Sequence, residues 1–413
     1  MLPSGTDRIA RSRELWARST QVIVGGGQGH KRFEYLFEYG MPAFTARAEG
    51  ARFWDVDGHE YVDYLMGYGP IVLGHAYPRL NEAIVRQLAD GTIYTTEHPL
   101  VIEAAEKLVE IIPFAEMVWF VVGGSSATAG AIRIARAHTQ REKILRCGYH
   151  GWLDWCLPGA PGVPACQQEL ILPFEYGKLE QVQELFQRHG EQVAAVIMEP
   201  VVGGADPFAF VPAVAALARE HGALFIVDEI KAGMRYGLAG AHPWIGVEPD
   251  LATYGKAVCN GYPGSFIAGP RDIMADKTDL HIAATFHADA LSLVALLVTI
   301  DEMQRRDGIE YLWAIGMRLI EGINAVLTEH GLEGRLRGHG PMPCPAFPSE
   351  EETWRRKWAG KVAERGAYFP LHPWFASLSH TEEDIEATIA MAAEAAEELR
   401  REGVPLRTPP AEA

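Results

Sequence analysis

Apolar residues gather in the middle of the chain as short unbroken runs, separated by stretches where they recur every three or four positions. Val193–Met198 and Leu224–Val227 are runs of the kind that form buried strands, and Met117–Val122 and Lys143–Arg146 read as further strands. A weaker strand signal lies at Pro249–Thr253. Between them Val101–Ile112, Ala127–Ala137 and Pro212–His221 keep their apolar residues to one side, as helices packed on a sheet do. This alternation predicts an α/β fold, a mostly parallel sheet with helices on both faces. Ligands in such sheets sit at the carboxyl ends of the strands.

The pattern changes toward both ends. Residues 8–20 read as a charge-rich helix, and Glu49–Tyr61 as a hairpin turning at Asp57-Gly58. After an apolar helix at 290–306, helices at 309–330, 353–365 and 382–402 alternate with short strands near 335–347 and 367–378. The expected division is a smaller α+β domain built from residues 1–65 and 307–413, around a large domain at 66–306.

Composition narrows the function classes. The chain has 413 residues, 48% hydrophobic and 22% charged, with a formal net charge of -17. That charge argues against a nucleic-acid partner, which calls for a basic face. The polar N-terminus lacks the apolar core of a signal peptide, and the longest apolar stretch, Ala290–Ile300, is too short to span a bilayer. Five scattered cysteines without a Cys-x-x-Cys pair read as free thiols. The expectation is a cytoplasmic protein with no membrane partner.

Two strand ends carry candidate chemistry. Asp228 closes the run Leu224–Val227, and Lys256 follows the next strand signal in Thr253-Tyr254-Gly255-Lys256. A lysine and a carboxylate on neighbouring strand ends are what pyridoxal 5'-phosphate needs. The amine forms an imine with the aldehyde, and the carboxylate keeps the pyridine nitrogen protonated. Gly123-Gly124-Ser125-Ser126 lies at a strand-to-helix turn, suited either to a phosphate on backbone N–H groups or to a serine N-cap. Tyr149, in Tyr149-His150-Gly151-Trp152 after another strand, is a ring-stacking residue or a core aromatic. Asp289 is placed to cap the helix that follows Thr285-Phe286-His287-Ala288.

In this order, and with Trp54-Asp55-Val56-Asp57-Gly58, Gly69–His75, Ala131–Arg136, Glu199–Gly203 and Asp228-Glu229-Ile230, these pieces resemble the class III pyridoxal-phosphate aminotransferases. The branch they resemble most is the glutamate-1-semialdehyde 2,1-aminomutase-like one, from about Val22 to about Thr381. The resemblance implies the fold type I architecture with a seven-stranded large-domain sheet. It makes Lys256 the Schiff-base lysine and proton carrier, Asp228 the pyridine partner, Tyr149 the stacking ring, and Gly124 and Ser125 the phosphate binders. It also implies a homodimer with shared active sites, in which Thr285 completes the phosphate cup of the neighbouring subunit.

Several positions depart from the family pattern. Gly123–Ala127 replaces Ser-Gly-Thr-Glu-Ala, keeping the glycine and the hydroxyl. Lys231 stands where relatives commonly carry a neutral residue, and can hold a substrate carboxylate, act as a second base, or point its head to solvent. Arg32, beside His30 and Lys31, falls where the branch binds a substrate carboxylate, or belongs to a solvent-facing basic cluster. A compact Pro158–Pro164 segment favours release of product. No arginine occupies the C-terminal carboxylate position, where His372 and Trp374 stand as local substitutes, which implies either a substrate carboxylate bound elsewhere or an aromatic or apolar body lying against Tyr68 and Trp374. The expected activity is transamination between an amino-acid donor and a keto or aldehyde acceptor, through pyridoxamine phosphate. An aminomutase or racemase is the alternative, and a non-catalytic cofactor-binding protein a third reading.

Overall fold

The computed structural model describes residues 7–27, 34–275, 278–347, 353–369 and 373–404. By backbone contacts the chain divides into two compact units, one of Met1–Tyr68, Leu73–Tyr77 and Tyr311–Ala413, the other of Gly69–Val72 and Pro78–Glu310. The turns between 68 and 78 thus alternate between the units, where the sequence reading placed a single boundary at 65/66.

The small unit opens with the helix Ala10–Ser19 and an antiparallel meander of β1 (Thr45–Glu49), β2 (Arg52–Asp55) and β3 (Glu60–Asp63). Asp55 stabilises the β2–β3 turn by accepting from the N–H groups of Asp57 and His59, and from the Tyr61 hydroxyl.

The large unit carries seven strands: β4 (Met117–Val122), β5 (Lys143–Cys147), β6 (Ile171–Pro173), β7 (Val193–Met198), β8 (Leu224–Asp228), β9 (Leu251–Tyr254) and β10 (Gly264–Gly269). Their order is β4-β10-β9-β8-β7-β5-β6. All neighbours run parallel except β10, which is antiparallel to both β4 and β9. β7 and β8 are buried at every position, as their unbroken apolar runs require. On one face the helix Gly124–Thr139 packs Ala127, Ala131, Ile134 and Ala135 into a cluster with Ile144, Ile197 and Ile226.

Two helices begin earlier than their patterns suggest. Pro207–Glu220 starts at a proline capped by Asp206, whose carboxylate accepts the Phe208 N–H at 2.9 Å, and it carries Pro212 inside. Pro212 reads in sequence as a helix start, and Pro207 already fills that role. Gly124–Thr139 starts directly after β4 because Gly123 turns the chain at φ 78°.

The chain returns to the small unit through the helix Gly308–Glu329, the hairpin β11 (Arg335–His339) and β12 (Met342–Ala346), the helix Thr353–Arg365, β13 (Ala367–Tyr368) and the helix Glu382–Arg401. β13 adds to β3 in parallel and is only two residues long, shorter than the strand expected over 367–378. Beyond it Trp374 and Phe375 donate their N–H groups singly, to Pro343 O and Tyr64 O. Among the described residues no helix is long and apolar enough to cross a membrane.

Candidate active site

Three neighbouring strand ends of the large unit deliver carboxylates and an amine to one cleft. β8 ends in Asp228 and β7 is followed directly by Glu199, both buried. β9 is followed by Gly255 and Lys256. Lys256 adopts φ 50°, a left-handed conformation that costs an ordinary residue about 1–2 kcal/mol. Gly255 has no room for a side chain: a Cβ there would lie 2.6 Å from Ser265 Oγ and 3.1 Å from Ile230 Cδ1. The strained turn is held by its surroundings, as is common where a side chain must be aimed.

Asp228 is fixed by three donors. Its Oδ1 accepts from the Ile230 N–H at 3.0 Å and the Thr253 hydroxyl at 3.3 Å, and its Oδ2 lies 2.6 Å from His150 Nδ1. His150 Nε2 faces the Cys147 carbonyl at 3.0 Å. Both ring nitrogens therefore face acceptors, which fixes the ring in its plane between Asp228 and Cys147. The Thr128 hydroxyl donates to His150 O at 2.7 Å, tying this loop to the helix Gly124–Thr139.

Glu199 organises the other side. Its Oε1 accepts the Tyr149 N–H at 2.8 Å, and its Oε2 forms an ion pair with Lys231. Gly148, at φ 103°, allows that approach, since a Cβ there would stand 2.8 Å from Glu199 Oε1.

Gly124, Ser125, Tyr149, Asp228, Ile230, Lys231 and Lys256 line one cleft of about 180 Å³ with Thr128, His150, Gly151 and Glu199. Burial, and next the like charge of Lys231, push the Lys256 amine down to about 8, against the pull of Glu199 and Asp228. Roughly a tenth of it is then neutral at pH 7, far more than for an exposed lysine.

The residues fit pyridoxal phosphate. The helix starting at Gly124 has no side-chain cap, so neither Ser125 nor Ser126 serves as the N-cap that sequence allowed, and its first turn is open to an anion. Tyr149 is 56% exposed, an aromatic face on the cleft wall rather than a core residue. Asp228 is held in place, and Lys256 is a weakly basic amine.

The comparisons with known proteins decide the family. The Aminotransferase class-III family model matches residues 37–374. The chain belongs to the class-III aminotransferase family. It is 35% identical to a glutamate-1-semialdehyde 2,1-aminomutase of Thermus thermophilus, over 92% of this chain and 98% of that protein. It is 32% identical to a 3-aminobutyryl-CoA aminotransferase of Cloacimonas acidaminovorans, over 95% and 98%. Among solved structures, the PLP internal aldimine form of the FumI protein of Sphingopyxis sp. MTA144 aligns with a TM-score of 0.89 at 30% identity, covering 96% of this chain and 98% of that one. This class-III chain is therefore a pyridoxal-phosphate enzyme of the fold its sheet displays.

Other sequence-derived positions lie elsewhere. Thr285 is exposed in the turn before the Asp289-capped helix Ala290–Arg305 and does not line this chain's own cleft. Tyr68 belongs to the small unit, where it adopts φ 72° and borders a separate cavity with Phe44, Asp63 and His75. Trp374 is corrected: it is 2% exposed, with its ring 4.3 Å from Phe369 and 5.7 Å from Tyr64 between centroids, so it is a core residue with no face for a substrate. Arg32, with His30 and Lys31, lies outside the described residues, as does His372.

Sequence reasoning gave no role to His150 or Glu199. The signal for Glu199 was the one that found Asp228, a carboxylate ending an entirely apolar strand. His150 follows the candidate Tyr149 by one position, and nothing local shows that its ring turns inward to Asp228.

Proposed function

We propose that this class-III enzyme is an aminotransferase that moves an amino group from an amino-acid donor to a keto or aldehyde acceptor. The observation that carries this reading is the Lys256 amine, lowered to about 8, in the same cleft as the triply held Asp228. Pyridoxal phosphate supplies a conjugated ring that accepts the electron pair left when the donor carbon loses its proton. Lys256 would bind the cofactor aldehyde and, once the donor amine displaces it, carry the proton between the two carbons. Asp228 would hold the pyridine nitrogen, Gly124 and Ser125 the phosphate, and Tyr149 and Ile230 would enclose the ring.

A compact link from the turn Asp154–Cys156 to the helix Ala165–Leu170 supports release of a keto product over its retention for aminomutation. The 35% identity to an aminomutase supports the second reading, in which the same groups return the nitrogen to a neighbouring carbon. We place the enzyme in the cytoplasm as a homodimer, with the partner subunit's Thr285 completing each phosphate site. Arg32 would meet a substrate carboxylate.

An absorbance titration of the cofactor-loaded protein with a panel of amino donors separates the readings, with products identified by mass spectrometry. Transamination yields the amino form of the cofactor and a keto product. An isomerised or racemised amino acid with unchanged cofactor rejects it.

A further inference from the structure

Two amines and two buried carboxylates line one cleft, and neither carboxylate is paired with Lys256. Asp228 is engaged by His150 at 2.6 Å, by the Thr253 hydroxyl and by the Ile230 N–H. Glu199 is engaged by Lys231. In that second pair the carboxylate is the fixed member. Glu199 is 5% exposed, its Oε1 accepts the Tyr149 N–H at 2.8 Å, and its own N–H donates to Cys147 O at 3.3 Å. Gly148 packs against it, since a Cβ there would stand 2.8 Å from Oε1. The long Lys231 side chain therefore comes to Glu199 and does not run out to solvent, one of the courses its sequence position left open.

We propose that Glu199 is a positioning residue that holds Lys231 as a paired ammonium and so reserves the cofactor aldehyde for Lys256. This rests on the reading of Lys256 as the amine that holds the cofactor.

The two lysines are aimed by different means. Lys256 is aimed by its backbone, at φ 50° after a Gly255 position that has no room for a Cβ. Lys231 is aimed by a carboxylate, and that contact also decides its chemistry. Condensation with an aldehyde begins when an amine lone pair attacks the carbonyl carbon; a nitrogen–carbon bond forms and the carbonyl oxygen leaves as water. An ammonium paired with a carboxylate has no lone pair to offer. Both lysines line a cleft of about 180 Å³, so a freed Lys231 amine would compete for the same aldehyde. Glutamine at 199 isolates the charge. Its carbonyl oxygen can still accept the Tyr149 N–H, while its NH2 group presents only hydrogens to Lys231.

The test uses the full-length chain loaded with pyridoxal phosphate near neutral pH, reduced with borohydride and read by peptide mapping. In Lys256→Ala, Lys231 is the remaining lysine of the cleft. With Glu199 in place it should carry no pyridoxyl group above the background set by the exposed Lys178. In Lys256→Ala/Glu199→Gln and in Lys256→Ala/Glu199→Ala, labelling of Lys231 should rise by about tenfold or more, the effect of losing one hydrogen bond between charged groups. Full labelling of Lys231 in Lys256→Ala alone overturns the proposal, because Glu199 would then not restrain it. So does labelling in the double variants that stays at the level of Lys256→Ala. Two double variants guard against one that fails to fold. The loaded parent, mapped in the same way, tests the Lys256 reading by itself: a parent without a pyridoxyl group on Lys256 sinks that reading, whatever the double variants show.

Discussion

The strand-end cleft of the large unit and the aromatic cluster of the small unit are both built from large and polar side chains, and they use them in opposite ways. In the cleft, Lys256 sits at a left-handed φ with its basicity depressed, and buried carboxylates stand within reach of two amines. In the cluster, Tyr64, Phe369 and Trp374 pack ring against ring, the Tyr64 hydroxyl donates to Thr388 Oγ1 at 2.8 Å, and the Ser377 N–H donates to His380 Nδ1 at 3.1 Å. The first region holds strain and charge that a ligand can use; the second spends its surface on itself. Strained backbone together with shifted titration at a strand end points to chemistry, and aromatic content alone does not.

The sharpest way to break this contrast is at Lys256 and Trp374. Lys256→Ala should lower transamination by at least about 10^4-fold in steady-state assays, since it removes both the attachment point and the proton carrier. Trp374→Ala should instead cost about 3–5 kcal/mol in denaturant unfolding, with KM unchanged for the folded fraction. A large KM effect at Trp374 would return it to the substrate site.

Asp228→Asn keeps the shape and removes the charge. It should cost about 10²–10³-fold in kcat, by analogy with loss of one electrostatic stabiliser. Thr253→Ala, which removes the weakest of the three supports, should cost clearly less.

Acid separates the regions by stability. Burial pushes His380 down to about 4 from its ordinary 6.5, so the folded protein resists a proton that the unfolded chain accepts. The unfolded state binds more protons between about 6.5 and 4, and stability therefore falls as pH falls through that window. The loss attributable to His380 is about 3 kcal/mol at most, and thermal melts of His380→Asn should show a flatter pH dependence there.

The smallest expected effect is at Tyr149. Tyr149→Phe should change cofactor affinity less than threefold, and Tyr149→Ala about tenfold, the stacking contribution of one ring.

The fold was legible in the sequence wherever burial was complete. β7 and β8 fall where their apolar runs lie, because a strand buried on both faces needs continuous apolar sequence. β10 was not foreseen: Gly264-Ser265-Phe266-Ile267-Ala268-Gly269 is rich in small residues, and a Cβ on Gly264 or Gly269 would lie 2.5 Å from Cys259 Sγ or Leu251 Cδ2. Its glycines serve close packing. In the candidate site, Asp228 and Lys256 stood out because charged residues at buried strand ends are costly without a purpose. The His150–Asp228 contact spans 78 positions and leaves no local periodicity to read. Trp374 misled because an aromatic residue in an irregular segment looks the same in sequence whether it faces a substrate or other rings.

The central claim is that Lys256, and not the neighbouring Lys231, holds the cofactor. Borohydride reduction of the protein loaded with pyridoxal phosphate, followed by peptide mapping, tests it directly. The account predicts a pyridoxyl group on the peptide containing Lys256 and an unmodified Lys231. A pyridoxyl group on Lys231, or none on either residue, would contradict it.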